Sequence, residues 1–400
     1  MILFNLLIVF LSFPLMWIFE KFILKKRSIF FYPFTLILLV IVLHAFFELF
    51  FDYSILNYRV ILLIVYGFFL LSFSTILIPY RYKPSYNHHR VNFEKILILP
   101  IFFIIFTSIY LFYLFLIQNG GFDLIELNNE EISSVNNLVF FQIFLTPIIF
   151  YSYLKKNTKF LLLLLNFLCL FLTFVKGVVI ISVLSIFIYY LEILKLKIKF
   201  KYLFFIALSG FFVFICSYLI PIYFLSSDLD IIYFINKFGL YLFAGLDGLS
   251  AILSNPAEHV FLPTEILFTP LINFTANLTG YIDNIRVLDF VSTNLVNNGN
   301  HNKVNVFTFF GTIFIASGKS ISLYSVLIIL FGLLTNLFYA LSINLRLYYT
   351  SISSIIWLTF FYLSFFEFYF WHSFLYYIIL FGLGLDFIFY FFKFFIYEKK

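Results

Sequence analysis

The 400-residue chain is 64% hydrophobic and 11% charged, against roughly 45–50% and about 25% in an ordinary globular protein. So few charges cannot cover a water-soluble body of this size, and a mean hydropathy of +1.07 places the chain among multi-spanning membrane proteins, excluding disordered, collagen-like and disulfide-scaffold classes. The formal net charge of +6 does not point to nucleic acid, because the basic residues fall in short clusters between apolar runs, as topology signals do.

Runs long enough to cross a bilayer, about 20 apolar residues each, lie near 1–19, 29–51, 60–79, 96–117, 138–154, 160–175, 178–193, 202–222, 320–342, 351–369 and 374–392. They are continuously apolar and do not alternate, so they predict helices and not barrel strands. The expected fold is an all-α polytopic membrane protein of about 11 transmembrane helices, within a range of 10 to 12. The first run lacks a basic leader and a small-residue cleavage site and is expected to be a retained span. Cys169 and Cys216 both sit inside apolar runs and give neither a metal spacing nor a disulfide framework.

Most of the 25 Lys and Arg occupy alternate loops: Lys21 to Arg27, Arg81 to Lys95, Lys155 to Lys159, Lys195 to Lys201, Arg346, and the tail from Lys393 to Lys400. That side is expected to be cytoplasmic, which puts the N-terminus outside. Most carboxylates lie on the opposite side. Three parts follow: an N-terminal bundle of about eight spans (1–222), a long external loop with short helices (223–319), and a C-terminal bundle of about three spans (320–400). In a chain otherwise made of spans and short turns, a long loop is where function is expected.

Along the chain, Glu48 and Asp52 lie near the external end of a span. Lys176 lies between two basic clusters that both belong inside, so the intervening chain crosses twice with about 16 residues each way, or roughly 24 Å of helix. That is short of a core of about 30 Å. A cation at such a sunken hairpin tip needs water or an anion; the alternative is a lysine that snorkels to the interface. Asp228-Leu-Asp230 has the form of a metal-binding pair, but acids after Ser226 and Ser227 equally fit the first turn of a helix. Arg286, the only arginine of the loop, carries the side chain suited to phosphate or carboxylate, or pairs locally with Asp283 or Asp289. His301, in the polar run NNGNHNKVN, has a side chain suited to general-base work or phosphate contact; a plain surface histidine is the alternative. His259 and His372 are weaker candidates of the same kind. Glu367 lies near an external span end, and Asp386 lies inside the last span, where it needs a partner. Walker, Rossmann, zincin and nucleophile-elbow motifs are absent from the sequence.

The segment NVFTFFGTIFIASGKSISLYSVLIILFGLLTNLFYA, Asn305 to Ala340, resembles the O-antigen polymerase (Wzy) family, the oligosaccharide repeat unit polymerases. Asn305, Val306 and Thr308 match an Asn-Val-Tyr-Thr element, with Phe307 in place of the tyrosine. Gly318 matches the glycine of an Asp-Phe-Gly element in which Ala316 and Ser317 replace the first two residues. Gly332 and Tyr339 match the following span. TFVKGVVIISVLSIFIYYL is similar to the family's hairpin, with Lys176 where an arginine is usual. FINKFGLYLFAGLDGLSAIL is similar to an external element, with Tyr241, Gly245 and Leu249 in the expected places. These segments cover roughly residues 165–345.

The resemblance implies a fold of the ligase and polymerase branch of the GT-C glycosyltransferases. It implies an enzyme on the external (periplasmic) face of the bacterial plasma membrane that joins undecaprenyl-diphosphate-linked oligosaccharide repeat units, as donor and acceptor, by inverting transfer without a metal or other cofactor. Under that reading Lys176 and Arg286 stabilise the leaving diphosphate, and His301 is the base for the acceptor hydroxyl or a phosphate contact. Asn305, Thr308, Tyr241 and Lys319 bind substrate, although Asn305 and Thr308 equally fit the cap of a re-entrant helix. The implied partners are the lipid bilayer, a chain-length regulator and a flippase. The rival readings are an O-antigen ligase, a transporter or flippase for the lipid-linked unit, and a non-catalytic membrane scaffold.

Overall fold

The computed structural model describes residues 1–25, 28–51, 55–77, 139–151, 154–172, 176–188, 242–250, 293–297, 300–304, 308–343, 347–366 and 374–397, with Tyr53 and a few further residues between these stretches. The helices among these residues are α1 (Ile2–Ile18), α2 (Phe31–Phe50), α3 (Tyr58–Leu77), α4 (Val139–Tyr151), α5 (Lys156–Leu172), α6 (Lys176–Ile188), a short helix over 242–250, α7 (Phe309–Ala316), α8 (Ile321–Ser342), α9 (Tyr348–Ser364) and α10 (Phe374–Tyr397). A hairpin of β1 (Thr293–Asn297) and β2 (Asn300–Val304) is the only sheet among the described residues. The architecture is that of a helical membrane protein. Among the described residues four helices are long and apolar enough to cross a membrane: Ile2–Leu24, Phe31–Phe50, Tyr58–Leu77 and Ile321–Ser342. The runs expected near 96–117 and 202–222 lie largely or wholly outside the described residues.

Two of these helices, α1 and α8, bury polar side chains while exposing large apolar ones. On α1 the buried positions are Asn5, Val9, Ser12 and Met16, one helical face. The exposed positions are Leu3, Phe4, Leu7, Phe10, Leu11, Leu15, Trp17 and Ile18. On α8, Thr335, Asn336 and Ser342 are buried while Leu323, Val326, Leu330, Leu334 and Leu337 are exposed. An apolar exterior over a partly polar interior is stable only where the surrounding solvent is hydrocarbon, because polar groups then find partners only inside the bundle. Asn336 illustrates this. Its Nδ2 donates to Ser74 Oγ on α3 at 3.0 Å and to the Gly332 carbonyl at 2.8 Å. A Cβ on Gly332 would stand 2.3 Å from Ser74 Oγ, so glycine is what allows α3 and α8 to approach.

The chain divides into two compact units. The first comprises 1–81, 230–340 and 360–376, the second 82–229, 341–359 and 377–400. In the first, α1 continues as a π-helical turn, Phe19–Leu24, which ends at Lys25 in the left-handed region. Glu20 is buried there and accepts from Ser28 Oγ, which also meets Ser72 Oγ at 3.0 Å. In the second unit, Asn166 on α5 donates to Thr146 Oγ1 and the Gln142 carbonyl of α4, at 2.8 and 3.1 Å. Asp386 on α10 is buried and accepts the backbone N–H of Tyr349 at 3.2 Å and of Thr350 at 2.7 Å. A carboxylate from another helix therefore caps the first turn of α9, where orphan N–H groups and the positive dipole end favour it. That is a partner in another helix, as a buried acid requires.

Candidate functional site

The 20-residue α2 would be an unremarkable apolar span but for two ionisable residues. His44 and Glu48 are four apart and so share a face. A third, Asp247, comes from the 242–250 helix, 203 positions away. The His44 ring lies between the two carboxylates: Nε2 is 2.9 Å from Asp247 Oδ1, and Nδ1 is 2.9 Å from Glu48 Oε1. The three side chains are at most 1% exposed. The contact to Asp247 is a well-directed hydrogen bond; the contact to Glu48 is short but off the N–H line, leaving Nδ1 without a directed partner.

The outer contacts complete the site. Tyr53, half-buried just beyond α2, donates its hydroxyl to Asp247 Oδ2 at 3.1 Å. Burial first, then the Asp247 charge, pushes the Tyr53 phenol well above its ordinary value, so it is a standing donor. The Leu56 N–H donates to Glu48 Oε1 at 2.7 Å, and the Asn57 N–H donates to Ser250 Oγ at 3.1 Å. Phe243 and Tyr53 wall the imidazole edge-on, with ring centroids at 4.9 and 5.4 Å. Glu48 Oε2 is buried with no hydrogen-bond partner among the described residues. Each carboxylate touches the imidazole directly. Among the described residues no group of three or more is arranged to hold a metal.

The 242–250 helix has two working faces. Phe243, Asp247 and Ser250, spaced four and three apart, face α2 and the connection after it. Gly245 and Leu249 form the other face and pack on the start of α7. A Cβ on Gly245 would meet the Phe366 carbonyl oxygen at 2.1 Å and Thr308 Cγ2 and N at 3.1 Å, and one on Gly311 would meet Leu249 at 3.4 Å. The segments FAGLDGL and TFFG, parts of stretches singled out separately in the sequence, are therefore in direct contact in the fold.

All eight residues of α7 are buried. Its N-cap is Thr308, extended at φ −66° and ψ 160°, whose hydroxyl accepts the Gly311 N–H at 3.1 Å. Phe310 stacks on Phe365 at 5.4 Å and meets Phe68 of α3 at 4.8 Å. The helix ends in a Schellman motif: Lys319 N–H reaches the Phe314 carbonyl at 3.1 Å, and Gly318 N–H reaches that of Ile315 at 2.9 Å. Gly318 takes the left-handed conformation, φ 60°, that this motif demands. The chain then enters α8.

Of the residues expected to act, Thr308 and Lys319 flank α7, with the Thr308 hydroxyl engaged in its cap and Lys319 at φ 62°. His301 is on β2, paired with Val296. Lys176 is the first residue of α6, in the second unit. Arg286, Asn305 and Tyr241 lie outside the described residues, as do Asp52, Asp228, Asp230, His259, Glu367 and His372. Sequence reasoning weighed Glu48 alone and passed over His44 and Asp247. The available signal was a histidine four residues before a glutamate inside a single apolar span. No curated protein and no solved structure matches the chain. Residues 85–395 match the family of unknown function DUF6337, and the chain belongs to that family.

Proposed function

We propose that this protein is a membrane glycosyltransferase that joins undecaprenyl-diphosphate-linked oligosaccharide repeat units into O-antigen or capsular polysaccharide. In this reading the chain has about eleven spans in a GT-C-like arrangement and acts on the external face of the bacterial plasma membrane. The acceptor sugar hydroxyl attacks the anomeric carbon of the donor, undecaprenyl diphosphate leaves, and the configuration inverts. Lys176 and Arg286 neutralise the departing diphosphate. His301 takes the acceptor proton or contacts phosphate. Asn305, Tyr241 and Lys319 bind substrate, and Thr308 fixes the helix that borders it.

The observation that supports this reading is the contact between the two resembling segments, Gly245 on Thr308 and Leu249 on Gly311. Elements that resemble separate parts of one family pattern are packed as parts of one structural unit. A second reading, a transporter or flippase for the lipid-linked unit, draws on the buried His44, Glu48 and Asp247, since ionisable groups within spans often serve ion-coupled transport. The test is deletion of the gene in its host, with surface polysaccharide resolved on a gel. Single repeat units on the lipid core, with the ladder restored by the wild-type gene, support the polymerase. A bare core points instead to a flippase or a ligase.

A further inference from the structure

The last turn of the first span, Ile2–Leu24, separates its charges by sign. The buried positions Met16, Glu20 and Leu24 are four apart. That spacing drifts around an α-helix and stays on one side where the turn widens, as it does in the π-helical Phe19–Leu24. The widened turn takes the acid of this stretch inward, where Glu20 accepts from Ser28 Oγ and Ser28 meets Ser72 of α3 at 3.0 Å. The cations stay outside. Lys21 and Lys25 are exposed, and among the described residues neither is paired with a carboxylate. Lys26 and Arg27 follow directly in the sequence.

Lys21 is also held in place. Its Nζ lies 4.6 Å from the ring centroid of Trp17, four residues back, and 5.4 Å from that of Phe22, distances at which a ring face attracts an ammonium. Trp17 and Phe22 are themselves exposed. A tryptophan at the end of a span sits at the level of the lipid headgroups, so the two lysines stand where lipid phosphates lie. Phe10 and Phe13, exposed on the Trp17 face of α1, continue from there along the span. We propose that Trp17, Lys21, Phe22 and Lys25 form a binding site for an anionic phospholipid. The lysines take its phosphate and the Phe10–Phe13 face takes its acyl chains. Charge complementarity selects this occupant: a basic residue beside a span favours an anionic headgroup about fivefold per charge. The inference does not depend on the glycosyltransferase reading.

The test offers the full chain, purified and stripped of lipid in detergent, an equal mixture of phosphatidylglycerol and phosphatidylcholine, with native mass spectrometry reading which lipid is retained. Phosphatidylglycerol is expected to be favoured at least about fivefold in the most tightly held lipid. That preference is expected to vanish in the double variant Lys21→Gln, Lys25→Gln. It is expected to survive in Lys155→Gln, Lys156→Gln, which removes as much charge from another exposed basic pair. No preference in the wild type, an unchanged preference without Lys21 and Lys25, or an equal fall in both double variants overturns the proposal. Should the first double variant not insert, Trp17 itself reports, its emission taken as wild type minus Trp17→Phe. In phosphatidylcholine vesicles containing a minority of phosphatidylglycerol, brominated phosphatidylglycerol is expected to quench that emission more than the same fraction of brominated phosphatidylcholine. Equal quenching by the two overturns the proposal.

Discussion

Replacing Gly245 by alanine sets a Cβ 2.1 Å from the carbonyl oxygen of Phe366 and 3.1 Å from Cγ2 and N of Thr308. Ordinary carbon–oxygen contacts lie near 3.3–3.6 Å, so roughly 1 Å of space has to be found. The obstacle at 2.1 Å is backbone, which cannot swing aside as a side-chain end can. Either the 242–250 helix withdraws from α7, or the turn at Phe366 moves. Overpacking of this kind costs about 1–3 kcal/mol, and a backbone obstacle places Gly245→Ala toward the upper end. The same substitution at Gly384, on α10, meets nothing within 4 Å and adds only helix propensity, at most about 1 kcal/mol in the stabilising direction. Intrinsic tryptophan fluorescence of the purified protein during a thermal ramp compares the two. Gly245→Ala is expected to melt well below wild type and Gly384→Ala at or above it. Equal melting of the two variants would refute the packing of the 242–250 helix on α7.

Asp386→Ala strips the acceptor from two buried N–H groups at the start of α9 and is expected to destabilise by about 1–3 kcal/mol. Asp386→Asn keeps one acceptor oxygen and is expected to lose less in the same thermal assay. Thr308→Ala removes the α7 cap at a cost of about 1 kcal/mol, while Thr308→Ser, which retains the hydroxyl, is expected to stay near wild type; equal losses would mean that the methyl group and not the cap matters. Removing one partner of the buried His44–Asp247 pair is expected to cost about 3–5 kcal/mol, because the other loses a direct hydrogen-bonded partner inside the protein. The double variant is then expected to fall short of the sum of the singles by more than about 0.5 kcal/mol, and an additive cycle would contradict a direct pairing.

Span positions were legible because an apolar run of span length is its own signal: the runs near 29–51, 60–79 and 320–342 correspond to α2, α3 and α8 within two residues. Asp386 was legible as an acid in need of a partner. That the partner is the backbone of α9 was not, since an orphan N–H at a helix start leaves no mark in residue type. The reason for Gly245 was hidden as well, because the obstacle it avoids belongs to Phe366, more than a hundred positions away. His44 and Asp247 show the same limit from the side of chemistry. Each alone reads as a polar residue near a span end or in a loop, and only the packing of the 242–250 helix on α2 joins them. Gly318 and Thr308, conspicuous in the sequence as parts of a resembling motif, turn out to end and begin the buried α7.

The most direct test of the central claim is reconstitution. The purified protein is placed in vesicles with chemically defined undecaprenyl-diphosphate-linked repeat units on the side that corresponds to the outside. The account predicts chains of two or more units, release of undecaprenyl diphosphate in step with elongation, and loss of both in Lys176→Ala or Arg286→Ala at normal protein level. Lipid-linked units that cross the vesicle membrane without ever being joined would contradict it and favour the transporter.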